Sequence, residues 1–306
     1  MTDSNRSFMG ALIIFLKGLF MGSADIVPGV SGGTIALITG IYERLVLAIR
    51  SIDPWVVPLF LRGLIRRESM EEARTQLGRM DLRFLLVLVM GVGAAFLLLA
   101  NLMSALLDDY TGPTYGFFFG LILASAFFVY YLHREAFRPL DAVPLVAGIL
   151  SGLAIVGLST VNADHSLPII FLAGTVTLCA MILPGISGAF ILLILGQYEY
   201  MLGIMRDLTH LDLSGIWVAL TYIVGGIVGL LLFSRVLSFL LRRYHGATLM
   251  FVVGLMVGAL RDPIERVGEA AADPLAVVAS ALVGVLLVTL ISYFGYLRPN
   301  SAGSDR

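Results

Sequence analysis

Charge is scarce in this chain. Asp, Glu, Lys and Arg make up 13% of its 306 residues, about half the share of an ordinary soluble domain. With 58% hydrophobic residues and a mean hydropathy of +0.95, too little polar side chain remains to cover a globule, which excludes the soluble classes. Cysteine is nearly absent too: Cys179 stands alone, so neither a disulfide framework nor a cysteine-based metal site can form within one chain. The net charge of −1 excludes a broadly basic nucleic-acid binder. The four histidines, His133, His165, His210 and His245, lie far apart in sequence, mostly where helices should end, and read as interfacial or loop residues. No cofactor or metal is expected.

What is abundant is apolar sequence. Long runs occupy about 84–106, 115–132, 141–160, 214–241, 248–260 and 275–297. Most approach the roughly 20 residues a helix needs to cross hydrocarbon; the run at 248–260 must borrow from its flanks. Residues 8–22 with 34–49, and 168–183 with 189–205, form pairs of shorter apolar halves around Pro-Gly-rich breaks. Halves this short fit re-entrant hairpins, where irregular backbone is tolerated inside protein or a watery cavity. The expected fold is therefore an all-α polytopic membrane protein: two re-entrant helical hairpins, 8–49 and 168–205, plus about six transmembrane helices in one membrane domain, 1–306. Phe8–Phe20 followed by Gly22, Ser23 and Ala24 mimics a cleavable signal. Lys17 interrupts it and its continuation recurs internally, so it is read as mature protein. The Arg-rich segment 51–83 is amphipathic and should lie along the cytoplasmic membrane surface.

The breaks are related. With Pro28 set over Pro184, 11 of the 23 positions to Arg50 and Arg206 are identical, including Pro-Gly-x-Ser-Gly and Gly-x-Tyr-Glu at fixed spacing. Three runs separate the hairpins, so the second copy enters from the opposite face: an inverted-topology repeat, with repeat 1 at 8–135 and repeat 2 at 141–297. Paired, Gly/Pro-interrupted segments in two inverted halves point to a transporter's binding site. If each hairpin returns to the side it entered from, fifteen arginines share the side of both termini and three lie opposite. That imbalance places the termini in the cytoplasm.

Chemically, each break resembles a helix start: Pro28 and Gly29, or Pro184 and Gly185, make the turn, and helix resumes after Ser31 or Ser187. The N–H groups of Ser31, Gly32, Gly33 and Thr34 form a positive dipole end, with the Ser31 and Thr34 hydroxyls beside it; Ser187 and Gly188 repeat part of it. Such an arrangement suits a phosphate or carboxylate. The bland alternative is a turn with a serine cap. Arg50 and Arg206 are candidate phosphate anchors, or interfacial arginines. Asp25 precedes the first break, and Met181 stands at its counterpart in the second. An acid within the membrane is a functional candidate; Asp25, Glu43 and Glu199 are the gating or coupling candidates, and protonation of Asp25 or Glu43 is a route to proton coupling. Their structural alternatives are ion pairs: Asp25 with Lys17, and the glutamates with Arg44, Arg50 or Arg206.

"ADIVPGVSGGTIALITGIYERL" and "LPGISGAFILLILGQYEYML" resemble the bacterial family long called domain of unknown function 368, described as polyprenyl-phosphate (undecaprenyl phosphate) transporters. The resemblance covers essentially the whole chain. It implies a flippase that returns undecaprenyl phosphate, the lipid carrier of cell-envelope synthesis, across the bacterial plasma membrane. Its overall logic is similar to that of the DedA proteins. Carried over, the motif positions are Asp25, Pro28, Gly29, Ser31, Gly32, Gly33, Thr34, Tyr42 and Glu43, with Pro184, Gly185, Ser187, Gly188, Tyr198 and Glu199 in the second copy. Ala189 and Phe190 depart from Gly33 and Thr34, so the two cradles should not be equivalent. "YGFFFGLILASAFFVYY" is a candidate lining for a prenyl-tail groove. A soluble-anion carrier has the same site and stays open. A phosphatase is disfavoured, because the hairpins hold no His, Lys or Arg between Ala24 and Tyr42 or between Leu167 and Met205. The "GLMVG" of Gly254–Gly258 allows helix packing within a chain or in a homo-oligomer.

Overall fold

A computed structural model describes residues 3–26, 30–53, 56, 58, 67–134, 138–158, 164–209, 212–270 and 272–296. Among them there are helices and no strands. The order is α1 (Asp3–Ile26), α2 (Gly32–Ile38), α3 (Tyr42–Arg50), α4 (Arg67–Arg79), α5 (Leu82–Asp109), α6 (Thr111–His133), a 3-10 turn (Pro139–Asp141), α7 (Ala142–Val156), α8 (Leu167–Ile182), α9 (Gly188–Ile194), α10 (Tyr198–Thr209), α11 (Ile216–Arg243), α12 (His245–Ala259), α13 (Arg261–Glu269) and α14 (Pro274–Tyr296). Among the described residues, seven stretches are long and apolar enough to cross a membrane, including Phe8–Ile26, Thr111–Leu132 and His245–Glu269. The chain is a multi-pass membrane protein.

Two details differ from the expected hairpins. The first half is no short stub: α1 runs for 24 residues and ends at Ile26, because nothing in Gly22–Asp25 breaks a helix and the first restriction comes from Pro28. The second copy's first half, α8, stays at 16 residues, as expected. Each returning half is itself broken: α2 and α3 meet at 116°, α9 and α10 at 114°. Gly40 and Gly196 make these corners with φ of 71° and 66°, a left-handed backbone that glycine adopts without penalty. The run at 248–260 does borrow from its flank, since α12 continues through Leu260 into α13. In the 51–83 segment α4 is helical, and residues 59–66 lie outside the described ones.

Long helices associate side by side through small residues. Gly18 lies against Leu88 and Gly91, and Gly22 against Val92 and Ala95, so α1 and α5 run parallel. Phe171 against Gly225 and Thr175 against Gly229 set α8 parallel to α11. Gly148 with Gly254 and Gly152 with Gly258 set α7 parallel to α12; Gly116 with Val277 and Gly120 with Ala281 do so for α6 and α14. Lipid tails are as apolar as leucine, so close backbone packing, not hydrophobic burial, holds such pairs. The Gly254–Gly258 motif is thus used within the chain. Leu86, Leu97, Leu282 and Leu286 face outward, while ten of the fifteen α12 residues are buried at the centre.

Candidate functional site

The two breaks meet. Ser31 is the residue before α2 and Ser187 the residue before α9, both extended in backbone and both buried. The Ser31 hydroxyl donates to the Leu183 carbonyl at 3.1 Å. The Gly185 N–H donates to Thr34 Oγ1 at 3.0 Å. Each is worth about 1 kcal/mol net, and leaving either group unpaired in this dry setting costs more. The approach is close because Gly33 has no side chain: a Cβ there would lie 2.9 Å from the Ile182 carbonyl oxygen and 3.1 Å from that of Met181. Gly185 is constrained twice, by a φ of 88° and by α12, whose Met256 Cα would be 2.8 Å from its Cβ.

Asp25 faces the start of α2. Its Oδ1 accepts the Gly32 N–H at 2.7 Å, the length of a charge-assisted bond, and a Cβ on Gly32 would strike Oδ2 at 2.4 Å. The Thr34 N–H is taken by the Ser31 carbonyl at 3.0 Å. Two donors of the expected cradle are therefore occupied, one of them by a carboxylate standing where an external anion would be held. In the second break Met181 takes the corresponding place over Gly188, its Cγ 2.4 Å from where a Cβ would be. Ser187 caps its own helix there, accepting from the Phe190 N–H at 3.4 Å.

Of the sequence candidates, Asp25, Ser31, Gly32, Gly33, Thr34, Pro184, Gly185, Ser187 and Gly188 gather at this junction; Pro28 and Gly29 lie outside the described residues. Arg50 reaches elsewhere, donating Nη1 to Ser238 of α11 at 2.9 Å. The side chain of Arg206 lies outside the described ones. Glu43 is exposed, 3.7 Å from His245, and Glu199 is exposed. Lys17, Arg44 and Arg50 do not form the alternative ion pairs with Asp25 or Glu43. Lys17 donates to the Thr39 carbonyl at 2.5 Å, capping the end of α2, and Arg44 pairs with Asp81 at 2.7 Å.

Sequence reasoning passed over the cross-break bonds, the Lys17 cap and Asp262. Asp262 is 6% exposed and lines a small cavity with Gly185 and Ser187; the only signal for it was an acid in "GALRDP". At the second corner Gln197, fully buried, lies 2.9 Å from His165 Nδ1. In the same connection the Ser166 hydroxyl and N–H hold Asp164 below the usual carboxylate range.

Two apolar hollows lie among the helices, the smaller of them beside the first break. One of about 230 Å³ includes Ala24, Ile35, Thr39, Phe118 and Val288. The other, about 980 Å³, runs along α6 and α14 past Phe127, Tyr131, Val288 and Ser292 to Arg134; both touch Val288. The large one follows the aromatic stretch expected to line a tail groove. No group of three or more His, Cys, Asp or Glu able to hold a metal exists among the described residues.

Fold and junction together define a multi-pass membrane protein whose buried centre is a pair of broken helices hydrogen-bonded at their breaks. The chain belongs to the undecaprenyl phosphate translocase-like family, whose model matches residues 21–274. It is 40% identical over 258 residues to a polyprenyl-phosphate transporter of Vibrio cholerae, covering 82% of this chain and 77% of the relative. A polyprenyl-phosphate transporter of Staphylococcus aureus is 30% identical over 259 residues, covering 81% of this chain and 84% of that one. No solved structure matches significantly.

Proposed function

We propose that this protein is a transporter, not an enzyme, that carries undecaprenyl phosphate across the bacterial plasma membrane for reuse in envelope synthesis. The family and the names of both relatives support the substrate. One observation carries the mechanism: Asp25 accepts the Gly32 N–H, so a carboxyl group already occupies the anion position of the first break. The lipid phosphate takes the place of that carboxylate, gaining the Gly32 and Gly33 N–H groups and the Ser31 hydroxyl. Asp25 is then the gate, and its protonation on release is the route by which a proton gradient couples to transport. The prenyl tail lies in the groove along α6 and α14, with Arg134 at its mouth.

Alternating access follows from two inverted halves. The parallel pairs support this: α1 with α5 is answered by α8 with α11, and α6 with α14 by α12 with α7. That correspondence supports a division after α7, giving each half one hairpin and three further helices, in preference to a division near residue 135. Because α1 and α5 run parallel, the chain between them returns to its starting side. At roughly 1.5 Å per residue, the seven residues of α2 are too few to span, which supports a re-entrant hairpin. Both termini are cytoplasmic in this scheme.

The test is translocation in proteoliposomes holding purified protein, with undecaprenyl phosphate and inorganic phosphate offered separately. The proposal expects movement of the lipid and none of the free anion. Movement of inorganic phosphate alone makes the protein a soluble-anion carrier.

A further inference from the structure

The second break has lost the carboxylate of the first, since Met181 stands where Asp25 would be. Another element brings one to it. Asp262 is the second residue of α13, and its side chain lines a cavity of about 10 Å³ with Gly185, Ser187 and Phe190 of the second break and Ile155 of α7. Its Oδ1 lies 3.6 Å from Arg266 Nε, longer than a charge-assisted hydrogen bond. Its Oδ2 is buried with no hydrogen-bond partner among the described residues. A buried carboxylate oxygen left in this state is costly, and it is relieved by a water, a proton or both. The cavity has room for one water molecule. Ser187 Oγ accepts from Phe190 and keeps its own hydrogen to donate.

We propose that Asp262 is the proton-exchange site of the second break, acting through one water held between its Oδ2 and the Ser187 hydroxyl. In uptake, a hydronium reaching the cavity gives its proton to Oδ2; one O–H bond breaks on the hydronium, one forms on the carboxyl, and a neutral water remains. The neutral acid no longer attracts Arg266, and it donates toward the water and Ser187 where the carboxylate accepted. The hold of α13 on the start of α9 therefore changes with the proton.

Among the described residues, the charged and titratable groups around Asp262 are few. On α13 they are Arg261, tied to Glu265 at 2.7 Å, with Arg266 and Glu269; α6 adds Tyr115, within electrostatic reach. The lining from α7, α9 and α12 brings none. Asp262 is thus the group at this cavity able to take a proton next to the second break, as Asp25 is at the first.

This inference deepens the transport reading, and its test separates the two. Infrared difference spectra of the purified protein are taken as pH is stepped from about 5 to about 9, in an Asp25→Asn background that removes the carboxyl of the first break. A carboxylic C=O band that titrates, disappears in Asp262→Asn and moves in Asp262→Glu is expected. Identical spectra with and without Asp262 overturn the proposal, whether or not the protein moves lipid. In proteoliposomes, one limb of the wild-type rate profile should change about tenfold per pH unit, and Asp262→Asn should flatten that limb. An unchanged profile also overturns it. If Asp262→Asn does not fold, Asp262→Glu carries both readouts, and an unmoved band with an undisplaced limb is the contrary result. A wild type that moves no lipid phosphate ends the transport reading and leaves the infrared result to decide Asp262.

Discussion

Thr34, in the first break, accepts a hydrogen bond from the N–H of Gly185, in the second, across 151 positions of sequence. Thr34 is fully buried, so no water replaces it as acceptor. Thr34→Val keeps the shape and deletes the acceptor, leaving a buried N–H unpaired at a cost of about 1–3 kcal/mol. Thermal unfolding in detergent should shift downward in Thr34→Val and return close to wild type in Thr34→Ser, which restores the oxygen. Equal losses in both variants contradict the bond's role.

Gly33 sets how closely the breaks approach. An alanine there puts a methyl group 2.9 Å from the Ile182 carbonyl, so the breaks must separate by a few tenths of an ångström or more. Gly33→Ala should reduce transport at least tenfold, about 1.4 kcal/mol on the rate-limiting barrier. Gly203→Ala is the control, because nothing lies within 4 Å of its Cβ. That helix should be stabilised, if anything.

The α7–α12 seam is a contact inside one chain. A Cβ on Gly254 would come 2.2 Å from the Leu145 carbonyl oxygen, and Gly148 meets Phe251 in the same way. Gly254→Val should therefore lower the yield of folded protein and its unfolding temperature, with the size of the surviving particle unchanged on a sizing column. A folded variant with altered oligomeric size would instead make this motif an interface between chains.

Arg50 was a candidate phosphate anchor, and its Nη1 is bonded to the nearly buried Ser238. A double-mutant cycle of Arg50→Ala and Ser238→Ala should give a stability coupling of roughly 1 kcal/mol, as for a partly solvated bond to a charged donor. If Arg50 also reaches the substrate, transport falls further in Arg50→Ala than in Ser238→Ala. Equal transport in the two single variants assigns Arg50 to structure alone.

Much of the fold was legible because membrane helices announce themselves in hydropathy and because the duplicated Pro-Gly-x-Ser-Gly marked both breaks. The length of α1 was underread: small residues at Gly22–Ala24 lower local hydropathy without breaking a helix. The corners at Gly40 and Gly196 sat in plain view within the repeat, but a positive φ is a property of backbone, not of residue type alone. The pairing of Ser31 with Leu183 and of Thr34 with Gly185 could not be read, because each joins opposite halves of the chain through backbone groups that every residue carries. Asp25 was singled out as an unusual acid; that its partner is the Gly32 N–H, with Lys17 spent on Thr39, depends on how the chain folds back at the break, which residue types alone do not state. Asp262 was missed because arginines on both sides made it look like an ordinary interfacial charge.

The central claim is that a carboxylate guards the phosphate position of a lipid-phosphate transporter. The measurement that tests it most directly is undecaprenyl phosphate translocation by wild type and Asp25→Asn, each with and without a proton gradient. Asparagine keeps an oxygen to accept from Gly32 and removes the charge, so the fold should survive. The account predicts gradient-stimulated transport by wild type, and in Asp25→Asn a residual rate that no longer responds to the gradient. Transport by Asp25→Asn with the wild-type rate and the wild-type gradient response would contradict it.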